Sequence, residues 1–216
     1  AKPRMFRLPE DDALVNRMGF PSGGATLARN HLWPWRHGLP GGAVLGINLG
    51  KNAATPVEEA ARDYVATFDA LHDLARYAVI NVSSPNTPNL RQLQDKSALD
   101  EILAALQQVN VKQAKSAKAA QPKPILVKVA PDLTFEALDE ILELVGPRSL
   151  AGIVATNTTI ARPATEDVRL QAIYAETGGL SGRPVFESSN RVIRALRAAL
   201  GPAFPIIGVG GILSGQ

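Results

Sequence analysis

The sequence feature that most limits the fold is an alternation of short apolar runs with amphipathic helical segments. Most runs are apolar on both faces until their last few positions, as parallel strands covered on both sides should be. The intervening segments have helical periodicity, so the chain predicts parallel βαβ units and an α/β fold. The five runs that indicate strands are Val44–Gly50, Tyr77–Ser84, Pro124–Pro131, Gly152–Thr159 and Pro205–Gly211.

The helical segments carry start and stop signals. Thr55-Pro56-Val57-Glu58 has the pattern of a capping box with proline at the first helical position. Further helices are expected to begin at Ser97, at Thr134 and near Ser189. Gly201 is expected to end the last of them.

Two architectures contain such βαβ units, an open doubly wound sheet and a closed (β/α)8 TIM barrel. A barrel needs eight strands and typically about 250 residues, whereas this chain has 216 residues and five strong strand candidates. Only residues 212–216 follow the last candidate, and a strand without a covering helix indicates a chain cut inside a fold. We therefore expect a single domain over 1–216 that forms an incomplete TIM barrel, lacking its first strands and its last strand.

Composition excludes several classes of function. The chain has no cysteine, which excludes disulfides, thiolate metal sites and a cysteine nucleophile, and no metal site is predicted. No apolar run approaches the ~20 residues needed to span a membrane, and Ala1-Lys2-Pro3-Arg4 is unlike a signal peptide. The net charge is only +3, and the lysine-rich segment Lys112–Lys123 is expected to be a solvated helix end and loop. We expect no nucleic-acid partner.

Polar residues close the apolar runs, at the end of the strand where a barrel places its chemistry. Each is costly to bury without a hydrogen-bond partner. One buried asparagine is usually structural, but several amides with a lysine and threonines predict a pocket for a planar, amide-rich ligand such as a pyrimidine or an isoalloxazine. These residues are Asn48, Asn81, Lys128, Thr156-Asn157-Thr158-Thr159 and Gly208-Val209-Gly210-Gly211.

Several of these residues have more than one interpretation. Lys128 could form a structural ion pair, a Schiff base, or a fixed positive charge beside an electron-accepting ring. Gly210-Gly211 could be a tight turn or a pair of backbone amides that bind a phosphate, and Thr177–Gly182 has the same ambiguity.

A catalytic base must come from elsewhere than cysteine or histidine. The three histidines, His31, His37 and His72, fall in loop-like or helical positions, and we expect no catalytic role for them. The best candidate is Ser83-Ser84-Pro85-Asn86-Thr87. A serine base needs a low-dielectric site and a proton relay, and the same motif in isolation is more often a turn.

Seven motifs together resemble one known family, nearly from end to end of the chain. They are Asn16–Phe20, Gly46–Asn52, Asn81–Thr87, Val127–Thr134, Thr156–Thr159, Glu176–Gly182 and Gly208–Gly211. In this order they resemble the quinone-dependent dihydroorotate dehydrogenases, the membrane-associated flavoenzymes of pyrimidine synthesis. Serine in the active-site motif and the lack of cysteine resemble the quinone-dependent class rather than its cytosolic relatives.

The resemblance implies an FMN-binding barrel that oxidises dihydroorotate to orotate. Ser84 would remove the C5 proton while the C6 hydride passes to N5 of FMN, and Thr87 and Phe20 would shape the proton path. Lys128 would stabilise negative charge on the reduced ring. The implied substrate-binding residues are Asn16, Arg17, Met18, Gly19, Phe20, Asn81, Asn86, Asn157 and Thr158. The implied cofactor-binding residues are Asn48, Asn81, Lys128, Thr156, Gly182 and Gly211.

The implied partners are dihydroorotate, orotate, a quinone and a membrane surface, the last through a segment that these residues lack. The implied location is peripheral, at the cytoplasmic side of a bacterial inner membrane or at the mitochondrial inner membrane. Asn89 and the segment Trp33–Gly42, expected at the surface, are unusual for the family. Two alternatives remain from the residues themselves: a lyase that uses Lys128 as a Schiff base, and an incomplete barrel without activity.

Overall fold

The computed structural model describes residues 2–118 and 121–215, which form two sheets and their covering helices. The strands are β1 (Met5–Leu8), β2 (Ala13–Asn16), β3 (Gly46–Leu49), β4 (Tyr77–Asn81), β5 (Ile125–Val129), β6 (Gly152–Ala155), β7 (Gly179–Gly182) and β8 (Ile206–Gly208). The α-helices are α1 (Gly24–Leu32), α2 (Ala60–Leu71), α3 (Lys96–Ser116), α4 (Phe135–Leu142), α5 (Val168–Tyr174) and α6 (Phe186–Leu200).

The larger sheet is parallel, with the strand order β3-β4-β5-β6-β8. All five apolar runs predicted as strands belong to it, each with a shorter strand than its run. Within the described residues the two end strands, β3 and β8, do not pair with each other, so the sheet is open. Its carboxyl ends share one edge, where Asn81 lies opposite Lys128 and Lys128 lies opposite Val154.

The two faces of this sheet differ. On one face, Ile80, Val127 and Ile153 are fully buried in the main core against α2, α3, α4 and α6. On the other face, Val79, Leu126 and Val154 form a smaller apolar cluster. Because side chains alternate along a strand, Asn81 and Lys128 project from the same face as Val79 and Leu126. The helix-free face therefore carries the polar groups at its carboxyl edge.

A second, antiparallel sheet with the order β1-β2-β7 was not predicted from the sequence. Its apolar contacts join Leu8 and Val15 to Tyr174 and Leu180, all of them buried. The segment Thr177–Gly182, expected to be a tight turn or a phosphate-binding backbone, contributes strand β7 to it. Pairing of β2 with β7 brings the end of β2 beside the loop that follows β6.

The predicted helix boundaries are partly right. Thr134 caps α4 by accepting a hydrogen bond from the backbone N–H of Ala137 at 3.2 Å, and Gly201 ends α6 with a φ of 75°. Helix α3 begins at Lys96, one residue before Ser97, because the Asp95 carboxylate accepts the cap hydrogen bonds. Helix α6 begins at Phe186, three residues before Ser189, whose hydroxyl donates to the Val209 carbonyl at 2.7 Å.

The predicted capping box at Thr55–Glu58 is wrong. A 3-10 turn over Val57–Glu59 precedes α2, and no side chain caps either start. Thr55 has a different role, since its carbonyl accepts a hydrogen bond from the Lys51 ammonium at 2.6 Å. The buried Lys51 of the preceding loop thus uses the Thr55 backbone rather than its side chain.

The lysine-rich segment is only partly solvated. Helix α3 continues to Ser116, and residues 119–120 of this segment lie outside the described part of the chain. Lys123 is half-buried and donates to the carbonyls of His72 and Ala75. The segment 33–42 lies at the surface, as expected. Among residues 2–118 and 121–215, no helix has the length and apolar character to cross a membrane.

Candidate active site

An amide cluster joins the ends of β4 and β6. Asn157, in the loop after β6, donates its side-chain N–H to the Asn81 side-chain oxygen at 3.1 Å and to the Ser83 hydroxyl at 3.0 Å. The Ser83 hydroxyl and backbone N–H also donate to the Asn81 oxygen, at 3.1 and 3.3 Å. Asn81 and Ser83 are buried, so each amide is fixed in orientation by its partners. The Tyr64 hydroxyl donates to the Asn81 carbonyl, at 3.0 Å, and anchors the strand end.

The loop after β4 carries the predicted base. Ser84 is 7% exposed, and its hydroxyl oxygen accepts a hydrogen bond from the Asn86 backbone N–H at 3.3 Å. Thr87 is buried in the same loop, and its carbonyl accepts a hydrogen bond from Leu90 at 3.2 Å. The motif is therefore a largely buried turn after β4, and the role of Ser84 as a base stays a prediction.

Asn86 connects this loop to the smaller sheet. Its side-chain N–H donates to the Asn16 side-chain oxygen at 3.1 Å, and Asn16 donates to the Gly179 carbonyl at 3.5 Å. The side-chain oxygen of Asn86 is buried and has no hydrogen-bond partner among residues 2–118 and 121–215. A buried acceptor of this kind costs about 1–3 kcal/mol unless a donor reaches it. It is the feature of the site that most directly calls for a ligand N–H or O–H.

The segment 16–20 begins at the last residue of β2 and continues into the following loop. Arg17 forms an ion pair with Glu176 at 2.6 Å and stacks over the Phe6 ring. The Met18 backbone N–H donates to the Asn16 side-chain oxygen at 3.5 Å. The remaining residues are more exposed: Gly19, with a φ of 66°, lies near the Asn86 carbonyl, and Phe20 packs on Gly50.

Phe20 and Asn48 border a cleft beside β3. The cleft has a volume of about 560 Å³ and is lined by apolar residues of α1 and α2 as well as by the loop after β3. Lys51, in this loop, is almost fully buried and donates to the Asn52 and Thr55 carbonyls at 2.9 and 2.6 Å. The structure thus places Asn48 and Phe20 together, on the β3 side of the site.

Lys128 lies on β5, between the two strands that the amide cluster joins. Burial lowers the pKa of its ammonium below the usual value for lysine. In the described part of the chain, no carboxylate forms an ion pair with it and no acceptor hydrogen-bonds it. The ion-pair interpretation is therefore wrong for these residues, and the other two remain.

The residues after β6 form a compact corner. Asn157 accepts a hydrogen bond from the Thr158 backbone N–H at 2.8 Å, and the Thr156 hydroxyl donates to the Asn157 carbonyl at 3.0 Å. The Thr156 backbone N–H donates to the Val209 carbonyl at 2.8 Å. The corner connects the amide cluster to the glycine-rich end of β8.

Two glycine segments meet at the start of α6. Gly182 adopts a φ of 93° in close contact with the carbonyl of Asp12, and the 3-10 turn after it leads directly into the helix. Gly210 and Gly211 also have positive φ values, and a Cβ on Gly211 would lie 2.8 Å from the Phe186 backbone nitrogen. Side chains are thereby excluded where the backbone reaches the first turn of α6.

Sequence reasoning missed Arg91 and Asp132, which hold the loops of this site together. Arg91 donates to the Ser83 and Thr158 carbonyls and to the Asp132 carboxylate. Asp132 directly follows the run that ends at Pro131, so a carboxylate at a strand end was a usable signal. Arg91 had no such signal, because its partners lie in three loops. No cluster of acidic or histidine side chains suited to a metal ion occurs in the part of the chain that the structure describes.

A family model described as dihydroorotate dehydrogenase matches residues 1–216. This chain belongs to the dihydroorotate dehydrogenase family. The relative from Methylibium petroleiphilum, named dihydroorotate dehydrogenase (quinone), is 50% identical over 216 residues, which cover 99% of this chain and 60% of that protein. A relative of the same name from Myxococcus xanthus is 48% identical, and the match covers 99% of this chain and 55% of that protein.

Solved structures of dihydroorotate dehydrogenases have the same fold as this chain. The crystal structure of DHODH from Eimeria tenella in complex with ferulenol is 36% identical, has a TM-score of 0.87 and is matched over 100% of this chain and 60% of its own. The ligand-free structure from the same organism has a TM-score of 0.87 as well. The predicted TIM barrel, incomplete in this chain, is confirmed. The chain spans about 60% of the length of these relatives.

Proposed function

We propose that these residues form part of the active site of a quinone-dependent dihydroorotate dehydrogenase, which oxidises dihydroorotate to orotate in pyrimidine synthesis. The observation that carries the proposal is the buried side-chain oxygen of Asn86, beside Ser84, which has no hydrogen-bond partner in the described part of the chain. Dihydroorotate has ring N–H donors as well as carbonyl and carboxylate acceptors. An amide oxygen that needs a donor, next to a hydroxyl that can act as a base, fits this substrate.

The other amides complement the same ring. Asn81, Asn157 and Asn16 each carry a donor and an acceptor. Asn157 donates to Asn81 and Asn86 donates to Asn16, and these bonds fix which group of each amide faces inward. Thr158 lies next to Asn157 and its backbone is held by the Asn157 side chain. Each hydrogen bond that such a site makes to a substrate group also rejects analogues without that group.

FMN fits the remaining polar groups. Lys128 has donors without acceptors among the described residues, and Asn81 lies opposite it on the neighbouring strand. Gly182 and Gly211 expose backbone near the first turn of α6, where anions are favoured. When bound, FMN would accept the hydride, that is, a hydrogen nucleus together with two electrons. Lys128, Asn48 and Thr156 would hold the ring, and the glycine segments would hold the phosphate.

Ser84 is proposed as the base that takes the C5 proton. Its burial lowers the local dielectric, which strengthens interactions with developing charge. The single hydrogen bond that its oxygen accepts, from Asn86, orients the hydroxyl without taking up its proton. Thr87 is the neighbouring buried hydroxyl and is proposed to pass the proton on, with Phe20 shaping the outer path.

The quinone and the membrane belong to the same proposal. The curated relatives carry quinone in their names, and quinones that accept electrons in this way dissolve in lipid. We extend quinone use and a peripheral position at a membrane surface to the protein that contains these residues.

A spectroscopic experiment tests the proposal. This chain is placed in the Methylibium petroleiphilum relative in place of the matching segment, which gives a full-length protein that we call the extended chain. We expect the purified extended chain to be yellow with FMN and to bleach when dihydroorotate is added without oxygen. A protein that carries no flavin even when FMN is supplied would contradict the proposal.

A second function, a Schiff-base lyase, is favoured by one observation. Burial lowers the pKa of Lys128 and so increases the fraction of neutral, nucleophilic amine. Borohydride trapping of a carbonyl substrate on Lys128, in an extended chain that carries no flavin, would support this function over the first. Tight flavin binding with no trapping would contradict it.

A further inference from the structure

Arg91 contacts three separate loops at the carboxyl edge of the sheet. Its Nε donates to the Ser83 carbonyl at 3.1 Å, and one terminal nitrogen donates to the Thr158 carbonyl at 2.8 Å. The other terminal nitrogen pairs with the Asp132 carboxylate at 2.8 Å. About a fifth of each of the Arg91 and Asp132 side chains is exposed, so water competes little for these contacts.

Asp132 extends this arrangement to the loop after β6. Its carboxylate also accepts hydrogen bonds from the Thr159 hydroxyl and, at 3.1 Å, from the Ile160 backbone N–H. The Arg91–Asp132 pair therefore joins the loops after β4, β5 and β6. Only a planar guanidinium presents donors in three fixed directions, whereas a lysine ammonium in the same place would be a single flexible point charge.

The contacts made by Arg91 lie one residue away from the proposed chemistry. Ser83, whose carbonyl accepts one bond, is the residue before Ser84. Thr158, whose carbonyl accepts the other, is the residue after Asn157. We propose that Arg91 is a positioning residue that sets the distance between the Ser84 loop and the Asn157-Thr158 loop. This inference rests on the proposed function. A displacement of about 1 Å at such a site can cost about a hundredfold in rate.

The test compares Arg91→Lys with Arg148→Lys, both made in the extended chain. Arg148 is a matched control because it pairs with Asp100 at 2.6 and 2.7 Å, joining α3 to the segment before β6. For both variants we would measure amide hydrogen exchange, orotate affinity and the rate of flavin reduction at saturating dihydroorotate without oxygen.

We expect Arg91→Lys to raise hydrogen exchange in both segments 82–89 and 156–160 and to slow flavin reduction more than tenfold. Orotate affinity should fall by a smaller factor than the reduction rate, and Arg148→Lys should leave all three quantities near the parent values. Unchanged exchange in these segments would overturn the proposal, as would raised exchange with an unchanged reduction rate.

The same measurements separate this inference from the proposed function. If the parent extended chain binds FMN but is not reduced by dihydroorotate, the proposed function fails. Raised exchange of both segments in Arg91→Lys alone would then still support the loop-holding role, and unchanged exchange would overturn it. Arg91→Gln provides a second variant, and it should give the same exchange pattern if Arg91→Lys fails to fold.

Discussion

Asn157 donates its side-chain N–H to the side-chain oxygen of Asn81, 3.1 Å away, across the strand that carries Lys128. Asn81 ends β4 and Asn157 follows β6, and β5 lies between these strands. The amide pair therefore brackets Lys128 at the carboxyl edge of the sheet. This relationship couples the polar groups at the ends of β4 and β6, on either side of Lys128.

Replacing Asn157 by aspartate should be more harmful than replacing it by alanine. Aspartate would turn an oxygen toward the Asn81 oxygen, which is already held as an acceptor by the Ser83 backbone N–H. Alanine leaves the bonds from Ser83 in place. We expect orotate affinity to fall at least tenfold in Asn157→Asp and less in Asn157→Ala, measured by titration of the extended chain. The reverse order would mean that Asn81 donates to Asn157.

Ser84→Ala should slow flavin reduction about 10²- to 10⁴-fold, the usual contribution of a general base. Orotate should still bind within about threefold of the parent affinity, because the hydroxyl accepts only one hydrogen bond, from Asn86. Stopped-flow reduction by dihydroorotate without oxygen gives the rate. Ser188→Ala is the control, since its hydroxyl donates to the Val185 carbonyl within the first turn of α6. An unchanged rate in Ser84→Ala would remove Ser84 as the base.

His72 should make the folded state sensitive to mild acid. Burial lowers its pKa, and it contacts the Asn110 side-chain oxygen at 3.2 Å at the end of α2. The unfolded chain therefore binds the proton more readily, and stability falls as the pH drops below about 6.5 and through the lower folded pKa. Urea unfolding of the extended chain at pH 7.5 and 5.5 should show a smaller loss in His72→Gln than in the parent. His37→Gln, at an exposed position, should behave like the parent.

Gly179→Ala should disturb the site through a steric clash. A Cβ at this position would lie 2.0 Å from the Thr158 hydroxyl and 3.0 Å from Pro85. We expect a loss of about 1–3 kcal/mol in unfolding free energy, the usual cost of overpacking, and weaker orotate binding. Gly146→Ala is the matched control, because nothing lies within 4 Å of its added Cβ. Equal effects of the two substitutions would contradict the packing seen around Thr158.

The sequence predicted the larger sheet well because its strands are short, uniformly apolar and separated by amphipathic helices. A strand such as Ile125–Val129, which is apolar at four of its five positions, is stable only when it is buried. The smaller sheet was missed because Gly179–Gly182 has two glycines and low strand propensity. It exists through pairing with Ala13–Asn16, a contact that no local pattern reveals.

The candidate site was predictable as a set of residue types and not as a network. Polar groups at strand ends identified Asn81, Asn157 and Lys128. Their partners depend on tertiary structure: Arg17 pairs with Glu176, and Asn16 reaches Asn86 across 70 residues of sequence. Arg91 lies in a 3-10 turn with no motif of its own, so its three contacts become apparent only in the folded structure.

The pairing of β2 with β7 also bears on how the chain is made. Asn16 reaches its partner Gly179 across 163 residues, and synthesis of that interval takes roughly 10–30 s at ribosomal rates of about 5–20 residues per second. During this time the edge of β2 that later pairs with β7 has no partner strand. Long-range pairing of this kind is slow and leaves apolar surface exposed. The β1-β2 hairpin is thus expected to reach its final packing only after β7 has been synthesised, and a molecular chaperone that covers its free edge in this interval would limit aggregation.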